Sequence, residues 1–203
     1  MTTRPTHPPP WLRIGVGAVS GVAWAAALRA WMAELTGFMS TFSWGTFVGV
    51  LLPGLVVGAA IGWASGVGTD TSTPEISKGE RRMLRWCAAS PLAFAVAPLL
   101  RPGAVAELLS QGLGGGALLV AITAIVGGYG FAGGRPAPAR LICAIVAVGI
   151  SVVGALLTGP LLRGTALALT SPRGAWLAVF DLALMLVLIG AASIPFRRLS
   201  ATR

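Results

Sequence analysis

Six apolar stretches run the length of this chain, and basic residues gather in every second gap between them. A stretch of about 20 predominantly apolar residues crosses roughly 30 Å of hydrocarbon. The alternation therefore predicts an all-α integral membrane bundle of six transmembrane helices, with the N-terminus and C-terminus both cytoplasmic. The expected inner side holds Arg4 and Arg13, then Lys78, Arg81, Arg82 and Arg85, then Arg135 and Arg140, then Arg197, Arg198 and Arg203. Arg29, Arg101, Arg163 and Arg173 fall on the outer side, and every loop is short enough for the positive-inside bias to act.

Composition closes the competing classes. Of 203 residues, 55% are hydrophobic and 10% charged, against roughly 25% charged in a soluble domain. That is too little charge to coat a soluble surface. The net charge of +9 sits at the ends of apolar runs, which excludes a nucleic-acid partner and makes the lipid bilayer the expected one. The single histidine, His7, and the cysteines Cys87 and Cys143 match no metal or disulfide spacing. No metal and no cofactor is expected.

Residues 1–10, MTTRPTHPPP, read as a disordered Pro-rich cytoplasmic tail. The membrane domain then occupies 11–196, with spans at about 11–32, 44–66, 84–100, 113–131, 141–162 and 172–194, followed by a basic tail over 197–203. Ala25-Ala26-Ala27 formally fits a signal-peptidase site, but Trp24 lies in the run and the apolar character continues past it, so the run reads as a span. Ser77 followed by Glu80 is a capping box that starts the third helix near Lys78. Ser171-Pro172 is a helix start, and Pro195 is expected to stop the sixth helix.

Three features stand out from the apolar background. The second span carries Gly54, Gly58, Gly62 and Gly66, four residues apart and on one face. Such a face seats another backbone closely, whether within the protomer, in a homo-oligomer or in a partner membrane protein, or it lines a pore. Helix breaks are expected at Pro53, Pro91 and Pro98, and Ser90-Pro91 and Pro98 face a glycine-rich fourth span across which Gln111 enters. Asp181 is the sharpest residue. It lies nine residues after Pro172, about 14 Å along the helix at a rise of 1.5 Å. A carboxyl at that depth takes a partner, faces water or stays protonated. Arg29, approaching from the same side, is its expected partner. Glu34 and Glu107 are expected to be solvated or paired with Arg29 and Arg101. The cluster of Lys78, Arg81, Arg82 and Arg85 is expected to meet anionic lipid headgroups.

No catalytic constellation is present: there is no intramembrane histidine, no paired carboxylates and no phosphate-binding loop. The chain is not expected to be an enzyme. Arg29-Ala30-Trp31-Met32 followed by Phe42-Ser43-Trp44-Gly45-Thr46-Phe47 resembles a pattern in uncharacterised actinobacterial multi-pass membrane proteins. The resemblance implies no activity or ligand. Trp31 and Trp44 also fit the aromatic belt of a membrane interface. Two functional readings stay open. One is small-solute or ion transport, with a site near Asp181, Arg29, Gln111 and Ser90 between interrupted helices. The other is a non-catalytic accessory subunit that binds partner helices through its glycine faces.

Overall fold

The computed structural model describes residues 8–37, 40, 42–68, 76–100, 115–133 and 136–201, and every element among them is helical. Helix α1 is Pro10–Thr36. Pro10 occupies the first helical position, where a missing N–H costs nothing, and Gly37 closes the helix with a positive φ of 61°. Helix α2 is Trp44–Gly66. Helix α3 is Lys78–Ala89, α4 is Leu92–Leu99 and α5 is Gly115–Gly130. Helix α6 is Ala137–Arg163, continued by a tighter turn over Gly164–Leu167, and α7 is Pro172–Ser200. At α3 the capping box forms both bonds: Ser77 N–H donates to Glu80 at 2.9 Å and Glu80 N–H to the Ser77 hydroxyl at 3.2 Å. At α7, Gly174 N–H donates to the Ser171 hydroxyl at 3.0 Å.

Four of these helices, Pro10–Thr36, Trp44–Gly66, Ala137–Leu167 and Pro172–Ser200, are long and apolar enough to cross a membrane. The third and fourth apolar stretches do not reach that length as single helices. The third is divided at Ser90-Pro91, where bonds to the third residue back (Ser90 to Cys87, Ala93 to Ser90) replace the α pattern. Proline lacks the N–H that would continue it. Pro98 makes no separate break, because it lies in the last turn of α4. The fourth stretch is described as a 16-residue helix; the start expected at 113 and the expected entry of Gln111 lie outside the described residues.

Other boundaries also move. The break expected at Pro53 falls one turn earlier, as a widened π turn over Phe47–Leu51 closed by Leu52 N–H to the Phe47 carbonyl. Pro53 cannot donate, so the chain shifts register just before it. Pro195 does not stop α7, which runs through Arg197 and Arg198 to Ser200, so these arginines form its last turn rather than a tail. Pro195 is fully buried, and Arg198 beyond it donates to the Ser65 carbonyl at 2.7 Å. Packing at that end outweighs the one hydrogen bond that proline removes.

The closest joint is the α1–α2 seam. Backbones touch where Gly17 and Gly21 meet Gly54, Gly58 and Gly62: a Cβ added at Gly58 would overlap the Gly17 carbonyl oxygen and lie 2.9 Å from Gly21 Cα. A Cβ at Gly54 would lie 2.5 Å from that of Ala25, and one at Gly66 would overlap the Arg13 side chain. The glycine row of the second span thus faces the first helix of the same chain.

Helix α7 is the hub and packs against α1, α2, α3, α5 and α6. Its buried residues, including Leu177, Asp181, Leu184, Leu188 and Ala192, recur at three- and four-residue spacing. Two indole N–H groups of α1 bond to its backbone: Trp24 to Leu184 O at 2.9 Å and Trp31 to Leu177 O at 3.0 Å. Trp31 is therefore turned inward, whereas Trp44 is 84% exposed and free to stand at an interface.

The bundle has two chemically distinct ends. At the proximal end, where α1 begins, lie Arg13, Lys78, Arg81, Arg82, Arg85, Arg140, Arg197 and Arg198. Arg140 there donates to Gly130 O at 3.0 Å. At the distal end Arg163 donates to Leu35 O at 2.9 Å, and Arg173 pairs with Glu34 at 2.6 Å. Glu34 is thus the partner of Arg173 rather than of Arg29, and Glu107 lies outside the described residues. Large apolar side chains stand on the outward faces, as at Val19, Ile145, Leu157 and Val187.

Candidate functional site

The site is built from side chains that the helical repeat turns inward. On α7, Asp181 lies in the same buried row as Leu177 and Leu184 and is 6% exposed. On α6, Ser151, Gly154 and Thr158 fall three and four residues apart and share a face. On α5, Thr123 is turned to the core and is 2% exposed. These elements surround a partly open cavity of about 500 Å³. Its described lining also includes Leu28, Trp31, Met32, Leu35 and Thr36 of α1, Gly49 and Val50 of α2, Phe94 of α4, and Leu162 of α6. The cavity extends from Asp181 in mid-bundle to Thr36 and Leu162 at the distal end. Its proximal floor is a core cluster of Ala25, Val57, Phe94, Ala124, Leu188 and Ala192.

The chemistry of the lining is uneven. Most of the wall is carbon. Ser151 donates to Ala147 O at 2.8 Å and Thr158 to Gly154 O at 2.7 Å. Both hydroxyl protons are therefore engaged within α6, and only oxygen lone pairs remain for the cavity. The Thr123 hydroxyl is buried without a hydrogen-bond partner among the described residues. Asp181 likewise has no ion pair or hydrogen bond to a described residue. Gly154 explains why the carboxylate stays accessible: a Cβ placed there would stand 3.8 Å from Asp181 Oδ2, so any longer side chain would lie over it. Gly49 adds a second gap in the wall. It falls in the π turn before Pro53, where the absent proline N–H leaves a carbonyl of Val48 or Gly49 without its helical donor.

Aromatic rings are fixed around this space. The indole of Trp31 is held by its bond to Leu177 O. The Phe94 ring lies against Trp24 with centroids 5.3 Å apart.

The expected Arg29–Asp181 pair is not formed. Leu28 occupies the α1 face toward α7 and packs with Leu184 and Met185, so Arg29 is rotated to the next face. Its guanidinium donates to the Ser40 hydroxyl at 2.9 Å and stands 4.5 Å from the centre of the Phe42 ring. Ser90 lies half-buried at the α3–α4 break, its hydroxyl oxygen buried without a partner among the described residues, and is not part of the described cavity wall. Lys78, Arg81, Arg82 and Arg85 lie on the first two turns of α3, remote from the cavity and beside the exposed Trp86. Sequence reasoning missed Thr123, Ser151, Gly154 and Thr158. The one signal for them was small polar and glycine residues at helical spacing within an otherwise branched apolar run.

No group of three or more His, Cys, Asp or Glu able to hold a metal occurs among the described residues. What the arrangement can do is accept one positive charge, or a few hydrogen bonds, inside an apolar wall. No protein-family model, curated protein or solved structure matches the chain.

Proposed function

We propose that the protein is a small-solute or ion transporter of the cytoplasmic membrane, with its central site at Asp181. The observation that supports this reading is the cavity that joins a mid-bundle carboxylate, without a partner among the described residues, to one end of the helices. Ionisable groups at such depth are costly, and where they are kept they face the bundle interior or a water-filled cavity and mark substrate or ion pathways. The core cluster around Phe94 separates this cavity from a second open one of about 450 Å³ between Arg13 and Phe94 at the proximal end, so Asp181 lines the distal cavity and not the proximal one. The accessory-subunit reading draws less support, because Gly54, Gly58 and Gly62 are already occupied by α1 and leave no glycine groove there for a foreign helix.

In this reading six segments cross. Helices α3 and α4 together make the third, a broken span, and α5 belongs to the fourth. The basic residues of the proximal end then face the cytoplasm. An alkaline phosphatase reporter fused after Arg140 is expected to be inactive, and activity there overturns the topology. For the function, Cys87 and Cys143 are replaced by alanine and single cysteines are placed at Thr158 and Ala124. A membrane-impermeant cationic thiol reagent should label Thr158→Cys and spare Ala124→Cys. Proteoliposomes should then show counterflow of a solute that protects Thr158→Cys. A cavity closed to the reagent, with no flux, returns the chain to the accessory reading.

A further inference from the structure

The lining of the Asp181 cavity names a class of solute, on the reading that this cavity is the solute site. Four observations narrow it. The carboxylate is nine-tenths buried and unpaired among the described residues, and it is the one titratable group in the described wall. An anion is therefore repelled and a single positive charge is attracted. The rest of the wall offers hydroxyl oxygens at Thr36, Thr123, Ser151 and Thr158, three of them already donating to their own helices. A bare divalent ion asks for about six oxygen ligands, and a sugar asks for many paired donors and acceptors; this wall satisfies neither. The remaining surface is aliphatic, with the rings of Trp31 and Phe94 held in place, and aromatic faces attract cations. The volume of about 500 Å³ lies within the range of small-molecule sites, roughly 300–1,000 Å³.

We infer that the cavity binds a monovalent lipophilic cation, a quaternary ammonium, a phosphonium or a protonated amine with an apolar body. Its charge is set against Asp181 and its body against the wall formed by Trp31, Phe94, Met185 and Val120. Gly154 is the residue that keeps the carboxylate open to it.

The test uses the full chain in lipid nanodiscs, with tetraphenylphosphonium as the probe and tetraphenylborate as an isostere of opposite charge; protein-free nanodiscs give the background. Saturable binding of the phosphonium, one per chain, and none of the borate is expected. Asp181→Asn should weaken it about tenfold or more, the scale set by removing one partner of a desolvated charge pair. Gly154→Leu, which leaves the charge and covers it, should abolish binding, and Arg29→Ala should not change it. Should Asp181→Asn fail to fold, Gly154→Leu carries the test alone. Equal binding of the borate, or phosphonium binding indifferent to both variants, overturns the inference. Phosphonium binding at Asp181 without counterflow of any solute sustains the inference and removes the transport reading. Counterflow of another solute by a protein that ignores the phosphonium does the reverse.

Discussion

Substituting Gly58 by alanine puts a single methyl group into the α1–α2 seam. The new Cβ would overlap the Gly17 carbonyl and lie 2.9 Å from both N and Cα of Gly21. All three atoms are backbone, so no side-chain rotation relieves the clash, and the two helices must separate by about 1 Å to restore ordinary contact distances. Overpacking of this kind costs about 1–3 kcal/mol, and here the upper value applies, because separation also loosens the neighbouring contacts at Gly54 and Gly62. The gain in helix propensity from glycine to alanine returns about 1 kcal/mol. The net loss is about 2 kcal/mol, or about 4–8 °C on the scale for soluble chains of this size. Gly149→Ala is the matched control, since a Cβ there meets nothing within 4 Å and should leave stability unchanged or slightly raised. A thiol-reactive fluorogenic dye reads both, because Cys87 is buried and free and becomes reactive on unfolding. Equal melting temperatures for Gly58→Ala and Gly149→Ala would refute the seam.

Asp181→Asn should melt at or above the parent's midpoint, since it forfeits no described bond and relieves the desolvation of a buried charge; a large loss measured with the same dye would show that the carboxylate is structural. Trp31→Phe deletes the bond to Leu177 O, worth about 0.5–1.5 kcal/mol, and should lower the midpoint by a few degrees while Trp44→Phe, at an exposed position, leaves it unchanged. The Ser77–Glu80 cap should be pH-dependent. Its hydrogen bonds to Ser77 hold the Glu80 carboxyl below the ordinary 4.5, so the cap contributes above that value and is lost as the pH falls through the lower folded value. Amide exchange at the start of α3 should accelerate in acid, and Glu80→Gln, which keeps the residue's length and removes its titration, should remove that dependence.

How much of this was legible in the sequence depended on range. Caps are local, so Ser77-Glu80 and Ser171-Pro172 could be read directly, and the inward placement of Asp181 followed from the cost of a lone carboxylate in lipid. Partners are not local. Arg29 and Asp181 approach the same level of the bundle, but Leu28 takes the inward face and a helix turns its next residue about 100° away, so rim position alone could not pair them. Pro195 was expected to end a helix because propensity is judged one segment at a time, whereas Arg198 and Ser65 hold the helix together from another segment. The hydroxyls of Ser151 and Thr158 gave no sequence signal strong enough to single out, because their significance lies in which helices face them.

The position of α7 as hub has a consequence for biosynthesis. The α1–α2 hairpin joins neighbours in the chain, so its glycine seam is available as soon as both helices have left the ribosome. The tryptophan bonds of α1 and the inner faces of α2, α3, α5 and α6 wait for Leu177, Leu184 and the rest of the last helix to be made. Until then the earlier helices must be sheltered by lipid or by the insertion machinery. Nascent chains released before Pro172 should therefore retain a formed hairpin beside unassembled companions, and quality-control proteases should clear them faster than any point variant of the seam.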